Sequence, residues 1–357
     1  GGLFWHTAHY HDAATCSHRS YSVKMRGKSI EASGGGPANE HNYASGLLLY
    51  YQLSGNVRAR DAVIGLAEWV RSMDDGNQHL LGFVTGVPTG LASCTRNLEY
   101  QGPGRGAGNS MVSLVNAWQA SEDTRYLDYA AELIYRTIHP DDNVQCRQLL
   151  DSENHWSYTV YLQALVYFIF VTQKIEGYQA IRDYARASFF QYARWMVENE
   201  RPYLDHAQNL EYPTETWAAQ DIRKGVVLLM AAWLSHCDEE KLSYSRKGCW
   251  LLENAWTALM SFPSRGCTRP LAIVLQQCYL QQYFESDKRR GFRWEVDFTH
   301  RVEFRSPSEF VPQKSVLRNQ LGSPGQLITA LRRISILQLW ISTFRRSWIV
   351  ARIRNLI

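Results

Sequence analysis

Four of the chain's eleven histidines fall in one short stretch, WHTAHYHDAATCSHRSY, which brings His6, His9, Tyr10, His11, Asp12, His18, Arg19 and Tyr21 close together. Imidazole titrates near neutral pH and also binds metals, so such a stretch suits proton transfer, hydroxyl binding or metal ligation. The His-x-His-Asp run has the right ligand types for zinc or a related ion. Its spacing is not that of a helical metal site such as HExxH, however, and alternating histidines on an extended loop need not converge. We read the cluster as the polar floor of a cleft in which His9, His11 and Asp12 bind hydroxyls. The plainer alternative is a set of loop residues satisfied by their neighbours. No metal ligand is assigned and the cofactor is left unknown.

A second cluster, GGGPANEHNYASG, runs from Gly34 through Pro37 into an expected helix carrying Asn39, Glu40, His41, Asn42 and Tyr43. His41 and Tyr43 beside an amide and an acid form a candidate proton-transfer set; Asn39 as a plain helix cap is the alternative. The glycines lack both the Lys-Ser/Thr of a phosphate-binding loop and the strand context of a dinucleotide fold, which disfavours nucleotide binding. The third cluster is LEYPTETWAAQDIRKG, where Thr214 or Thr216 can cap a helix, Glu215 sits at its positive end, and Trp217, Asp221 and Arg223 follow. Glu215 and Asp221 are six apart, point to different sides of a helix and do not make a catalytic pair with each other. Arg105 and Asn109 in YQGPGRGAGN, and His155, Trp156 and Tyr158 in NHWSYTVY, are further candidates at helix starts.

These residues need elements to hold them, and the pattern along the chain supplies helical hairpins. GLLLYYQL followed by SGNVRARDAVIGLAEWV has apolar residues at helical spacing on both sides of a short polar turn. The layout returns as SLVNAWQA with SEDTRYLDYAAELIY, then as VYLQALVYFIF with a long second helix, then as GVVLLMAAWL with SHCDEEKLSYSRKGCWLLENAWTALM. Turn residues Ser54, Ser121, Thr172 and Ser235 anchor the four copies at unequal spacings, unlike the near-constant period of about 34 residues in TPR arrays. Long hairpins with variable loops suit a ring of helix pairs whose loops build a site at one rim, with an open solenoid as the alternative. The expectation is therefore an all-α, incomplete (α/α) toroid over residues 1–285, followed by an irregular basic segment over 286–357.

Composition narrows the partners. After Phe310 there are eight basic residues and no acidic ones, so the rest of the chain carries −4 against a total of +4. A mildly acidic body disfavours nucleic acid as the main partner. No apolar run reaches the roughly 18–20 residues of a membrane span. The seven cysteines are scattered without a CxxC pair, which is neither a disulfide framework nor a zinc ribbon. The chain begins at Gly1, so an upstream domain and the localisation are left open.

Hairpins with a polar SGN-x-R-x-x-D turn, Trp-rich helices, and His, Tyr and Glu motifs at helix entrances resemble the (α/α)-toroid carbohydrate-active enzymes, both six-hairpin glycosidases and polysaccharide lyases. The HTAHYHD, GGGPANEHNY and YPTETW stretches resemble proteins of the exo-rhamnogalacturonan lyase type, over about residues 1–285. The resemblance implies a toroid behind an upstream β-rich domain and a uronate-containing polysaccharide as substrate. It implies β-elimination, with His41 as base, Tyr43 or Tyr10 as acid, and Asn39 or Arg19 neutralising the uronate carboxylate. His9, His11, Asp12, Arg105, His155, Trp156, Tyr158, Glu215, Trp217 and Asp221 would bind the substrate. A glycoside hydrolase would instead use two carboxylates from Asp12, Glu40, Glu215 and Asp221. A non-catalytic helical scaffold is the third reading.

Overall fold

The computed structural model describes residues 40–76, 82–93, 102–264, 267–286 and 310–325, together with 304, 306 and 328. These residues are all-α. The first hairpin pairs α1 (Ser45–Ser54) with α2 (Val57–Asp74), and after a one-turn helix α3 (Gly82–Thr85) the second pairs α4 (Arg105–Ser121) with α5 (Arg125–Thr137). A one-turn helix α6 (Ser152–His155) leads into the third hairpin, α7 (Tyr158–Val171) with α8 (Gln179–Asn199). The fourth is α9 (Glu215–Leu234) with α10 (Asp238–Ser261), followed by α11 (Thr268–Ser286) and α12 (Gln313–Leu321).

The expected turn chemistry is visible atom by atom. Ser54 Oγ donates to the Tyr50 carbonyl and accepts from the Asn56 N–H, while Asn56 caps α2 by accepting from the Ala59 N–H at 3.1 Å. Ser121 repeats this with the Ala117 carbonyl and the Asp123 N–H. Thr172 Oγ1 bonds back to the Phe168 carbonyl at 2.8 Å, and Ser235 Oγ accepts from the Cys237 N–H at 3.2 Å. One hydroxyl thus closes each first helix or opens each second one. In the first two turns a left-handed residue follows the first helix, Gly55 at φ 68° and Glu122 at φ 60°.

The first helices of the hairpins form one layer, in which α1 packs on α4, α4 on α7, α7 on α9 and α9 on α11. Each second helix packs on its own partner, and α8 also touches α9 and α10. Sequence decides which helix goes where. In α7 (YTVYLQALVYFIFV) and α9 apolar residues surround almost the whole helix, and both are buried nearly all round. By contrast, α5 buries one face only, through Tyr126, Leu127, Ala130, Leu133, Ile134 and Thr137. Small residues set the closest approaches: a Cβ on Gly108 would stand 3.0 Å from the Tyr161 Cα, and one on Gly225 would stand 2.5 Å from Leu252. Among the described residues the closely packed pairs do not join α11 to α1.

Two expectations change. The helix expected to begin after Pro37 begins instead at Ser45, and Glu40, His41, Asn42 and Tyr43 precede it. The reason is cross-chain bonding: the Glu40 carbonyl accepts from Asn109 Nδ2 at 2.6 Å, and Asn42 Oδ1 accepts from Ser113 Oγ at 2.8 Å. These tie the segment to α4. Within 286–357, expected to be irregular, Gln313–Leu321 is helical and folds back on the loop between α2 and α4, where the Gln313 N–H donates to the Pro88 carbonyl at 3.1 Å.

Candidate functional site

The starts of the first-layer helices meet in one connected set of side chains. Ahead of α1, buried Glu40 pairs with Arg105 at the start of α4, and the Arg105 backbone N–H donates to Ser157 Oγ just before α7. The Arg105 guanidinium carbon lies 5.5 Å from the Trp156 ring centroid, and that of Arg269, in the first turn of α11, lies 5.1 Å from it. Trp156 in turn packs against Tyr203, Leu210 and Trp217. Trp217 opens α9 and meets Tyr203 edge to face, with ring centroids 5.1 Å apart. Hence α1, α4, α7, α9 and α11 all contribute to one patch at the same end of the layer.

Beside this patch lies a buried ionic group. Lys224 Nζ, on a side chain only 1 % exposed, sits 2.7 Å from Glu200 Oε2 and 3.0 Å from Asp221 Oδ1. It also donates to the Arg201 carbonyl at 2.7 Å and lies 3.2 Å from the Tyr203 ring centroid. Asp221 accepts from the Tyr203 N–H at 3.0 Å, and the Tyr158 hydroxyl donates to Glu200. Burial, ahead of the opposing pull of Lys224, pushes the Asp221 carboxyl up to about 6. Burial followed by the Glu200 charge pushes the Tyr158 phenol well above its usual range. Every charge in this group has an internal partner, so it fixes the α8–α9 corner rather than presenting a reactive group.

A polar seam runs along the first layer. Asn116 Nδ2 donates to Ser45 Oγ at 3.0 Å, and the Tyr167 hydroxyl, with one proton to donate, lies 2.7 Å from Asn116 Oδ1 and 3.0 Å from Gln119 Oε1. Gln163 Nε2 donates to Gln277 Oε1 at 2.6 Å. Arg223 then bridges Gln220, Gln163 and Gln276. The sequence reading missed this seam, although the signal was present as isolated polar residues inside apolar runs: Asn116 and Gln119 in SLVNAWQA, and Gln163 in VYLQALVYFIF. It also missed Glu200 and Lys224.

The expected site residues divide by surroundings. His41 is buried and Tyr43 is 47 % exposed; their rings stack at 5.8 Å with planes 20° apart. Arg105 and Trp156 belong to the patch, to which Glu40, the neighbour of His41 in sequence, is tied. Glu215 is half-buried in the first turn of α9, and Thr214 holds the N-cap position without a side-chain capping bond. His155, Tyr158 and Asp221 are buried on internal partners; His155 Nδ1 lies 2.9 Å from the Gln148 carbonyl. His9, Tyr10, His11, Asp12, Arg19 and Asn39 lie outside the described residues, and so does the metal reading of their cluster. Among the described residues, no three His, Cys, Asp or Glu side chains gather as metal ligands, and no helix is long and apolar enough to cross a membrane. No family model, curated protein or solved structure matches this chain.

Proposed function

We propose that the chain is a carbohydrate-active enzyme, a polysaccharide lyase that cleaves a uronate-containing polysaccharide by β-elimination on an (α/α)-toroid frame. The observation that carries this reading is the meeting of aromatic and cationic groups from five helix starts, next in sequence to the exposed Tyr43 phenol stacked on buried His41. A scaffold that binds through a helical face has no need of such a cluster. In this reading His41 and Tyr43 form the proton-transfer pair: one removes the proton at C5 and the other protonates the departing O4, leaving a C4–C5 double bond. The hydrolase reading fits the described residues less well. Two free carboxylates must flank the scissile bond, whereas Glu40 is held by Arg105 and Asp221 by Lys224, all of them buried.

Incubation with a panel of uronate polysaccharides tests the proposal, with ultraviolet absorbance of the unsaturated product and reducing ends followed in parallel. A rise in both supports the lyase. Reducing ends alone give a hydrolase, and neither signal gives the binding scaffold. His41→Ala is expected to lower turnover by at least about 100-fold, the low end of what a positioned acid or base contributes; unchanged turnover would remove His41 from the mechanism.

A further inference from the structure

Arg223 differs from the other cations around it. Arg105 is paired with Glu40, and Lys224 with Glu200 and Asp221. Among the described residues the half-buried Arg223 guanidinium donates to neutral acceptors alone: Nε to Gln220 Oε1 at 3.1 Å, Nη1 to Gln163 Oε1 at 3.2 Å and Nη2 to Gln276 Oε1 at 3.0 Å. No Asp or Glu among the described residues forms an ion pair with it, whereas the adjacent Lys224 takes two. Three amide oxygens orient the plane of the guanidinium and leave its charge uncompensated. They use three of its five N–H donors and leave one on each terminal nitrogen for a further acceptor.

Resting on the lyase reading, we propose that Arg223 anchors a subsite for the carboxylate of an acidic sugar, oriented by Gln220, Gln163 and Gln276. Arg223 stands on α9 and bonds across to α7 and α11, in the helix layer whose first member, α1, follows the exposed Tyr43. This subsite serves binding whether or not chemistry follows.

Equilibrium binding by calorimetry separates the two claims. The probes share one ring: methyl galactopyranosiduronate, the neutral methyl galactopyranoside and its 6-sulfate. The uronate probe has a free 4-hydroxyl, so it has no glycosidic bond where β-elimination would cleave. Wild-type protein is expected to bind the uronate at least about tenfold more tightly than the neutral sugar, in line with one charge-assisted pair. Arg223→Gln should abolish that preference while leaving the weak neutral binding in place. Gln276→Glu supplies an internal carboxylate from an exposed helix position without removing the arginine; it should fold normally and also lose the preference. Equal affinity for the uronate and neutral probes, or a preference that survives both substitutions, overturns the subsite. Tighter binding of the 6-sulfate than of the uronate overturns the carboxylate assignment. Selective uronate binding without turnover of any polymer keeps the subsite and discards the lyase.

Discussion

The buried ionic group at the α8–α9 corner shows how individual residues set a pH dependence. The Asp221 carboxyl is raised from 3.8 to about 6, first by burial and against the attraction of Lys224. Its folded value lies above its unfolded one, so between the two the folded state binds more protons. This group's contribution to stability therefore falls as pH rises from about 4 to about 6, and the full cost is present above that window. Asp221→Asn cannot ionise. Relative to that variant, the wild-type protein should lose on the order of 1–3 kcal/mol of unfolding free energy between pH 4 and pH 6.5. Urea melts of both proteins at several pH values measure this. Parallel profiles would mean that Asp221 keeps an ordinary carboxylate affinity despite its burial.

At the scale of elements, the tightest contact is that between α9 and α10, where two glycines face each other. A Cβ on Gly225 would lie 2.5 Å from a Leu252 side-chain carbon and 3.0 Å from the Gly248 carbonyl oxygen. A Cβ on Gly248 would lie 3.1 Å from the Gly225 carbonyl oxygen. Backbone on one side and a buried leucine on the other leave little room to adjust. Ala ordinarily favours a helix over Gly by about 1 kcal/mol, but overpacking costs about 1–3 kcal/mol and here outweighs that gain. Gly225→Ala should therefore lower the melting temperature, whereas Gly65→Ala, with nothing within 4 Å of the new carbon, should raise it slightly. Calorimetric melting of the two variants gives the comparison, and a stabilised Gly225→Ala would show that the helices can part without cost.

At the scale of the whole molecule, the return of the chain onto its amino-terminal half depends on Gln313. Its side chain, 1 % exposed, donates to Thr85 Oγ1 at 2.8 Å and to the Val87 carbonyl at 3.3 Å, across more than two hundred residues of sequence. Nearby, the Arg136 guanidinium carbon lies 4.9 Å from the Phe310 ring centroid, and Arg136 also pairs with Asp74. Gln313→Ala leaves the Thr85 hydroxyl and the Val87 carbonyl without that donor, a loss of about 1–3 kcal/mol. The effect should be local. Amide hydrogen exchange is expected to accelerate about tenfold or more across α12, with α7 and α9 unchanged. Equal acceleration everywhere would make the return segment part of the global folding unit.

The sequence by itself determined the all-α class and all four hairpins, because apolar spacing of 3.6 residues and a hydroxyl at each turn are local properties that no distant contact needs to supply. It also pointed to Arg105, Trp156, Trp217 and Asp221 as residues at helix starts. Only the tertiary structure decided which of these face a common patch and which are spent internally. Asp221 looks like an available carboxylate until Lys224 is seen against it, and Tyr158 like a ligand group until its hydroxyl is seen donating to Glu200. The start of α1 was misjudged for the same reason: Pro37 favours a helix locally, while bonds from Asn109 and Ser113 hold Glu40 and Asn42 outside it. Arg223 gained its significance from three glutamines on three different helices, a coincidence in space that spacing along one chain does not encode.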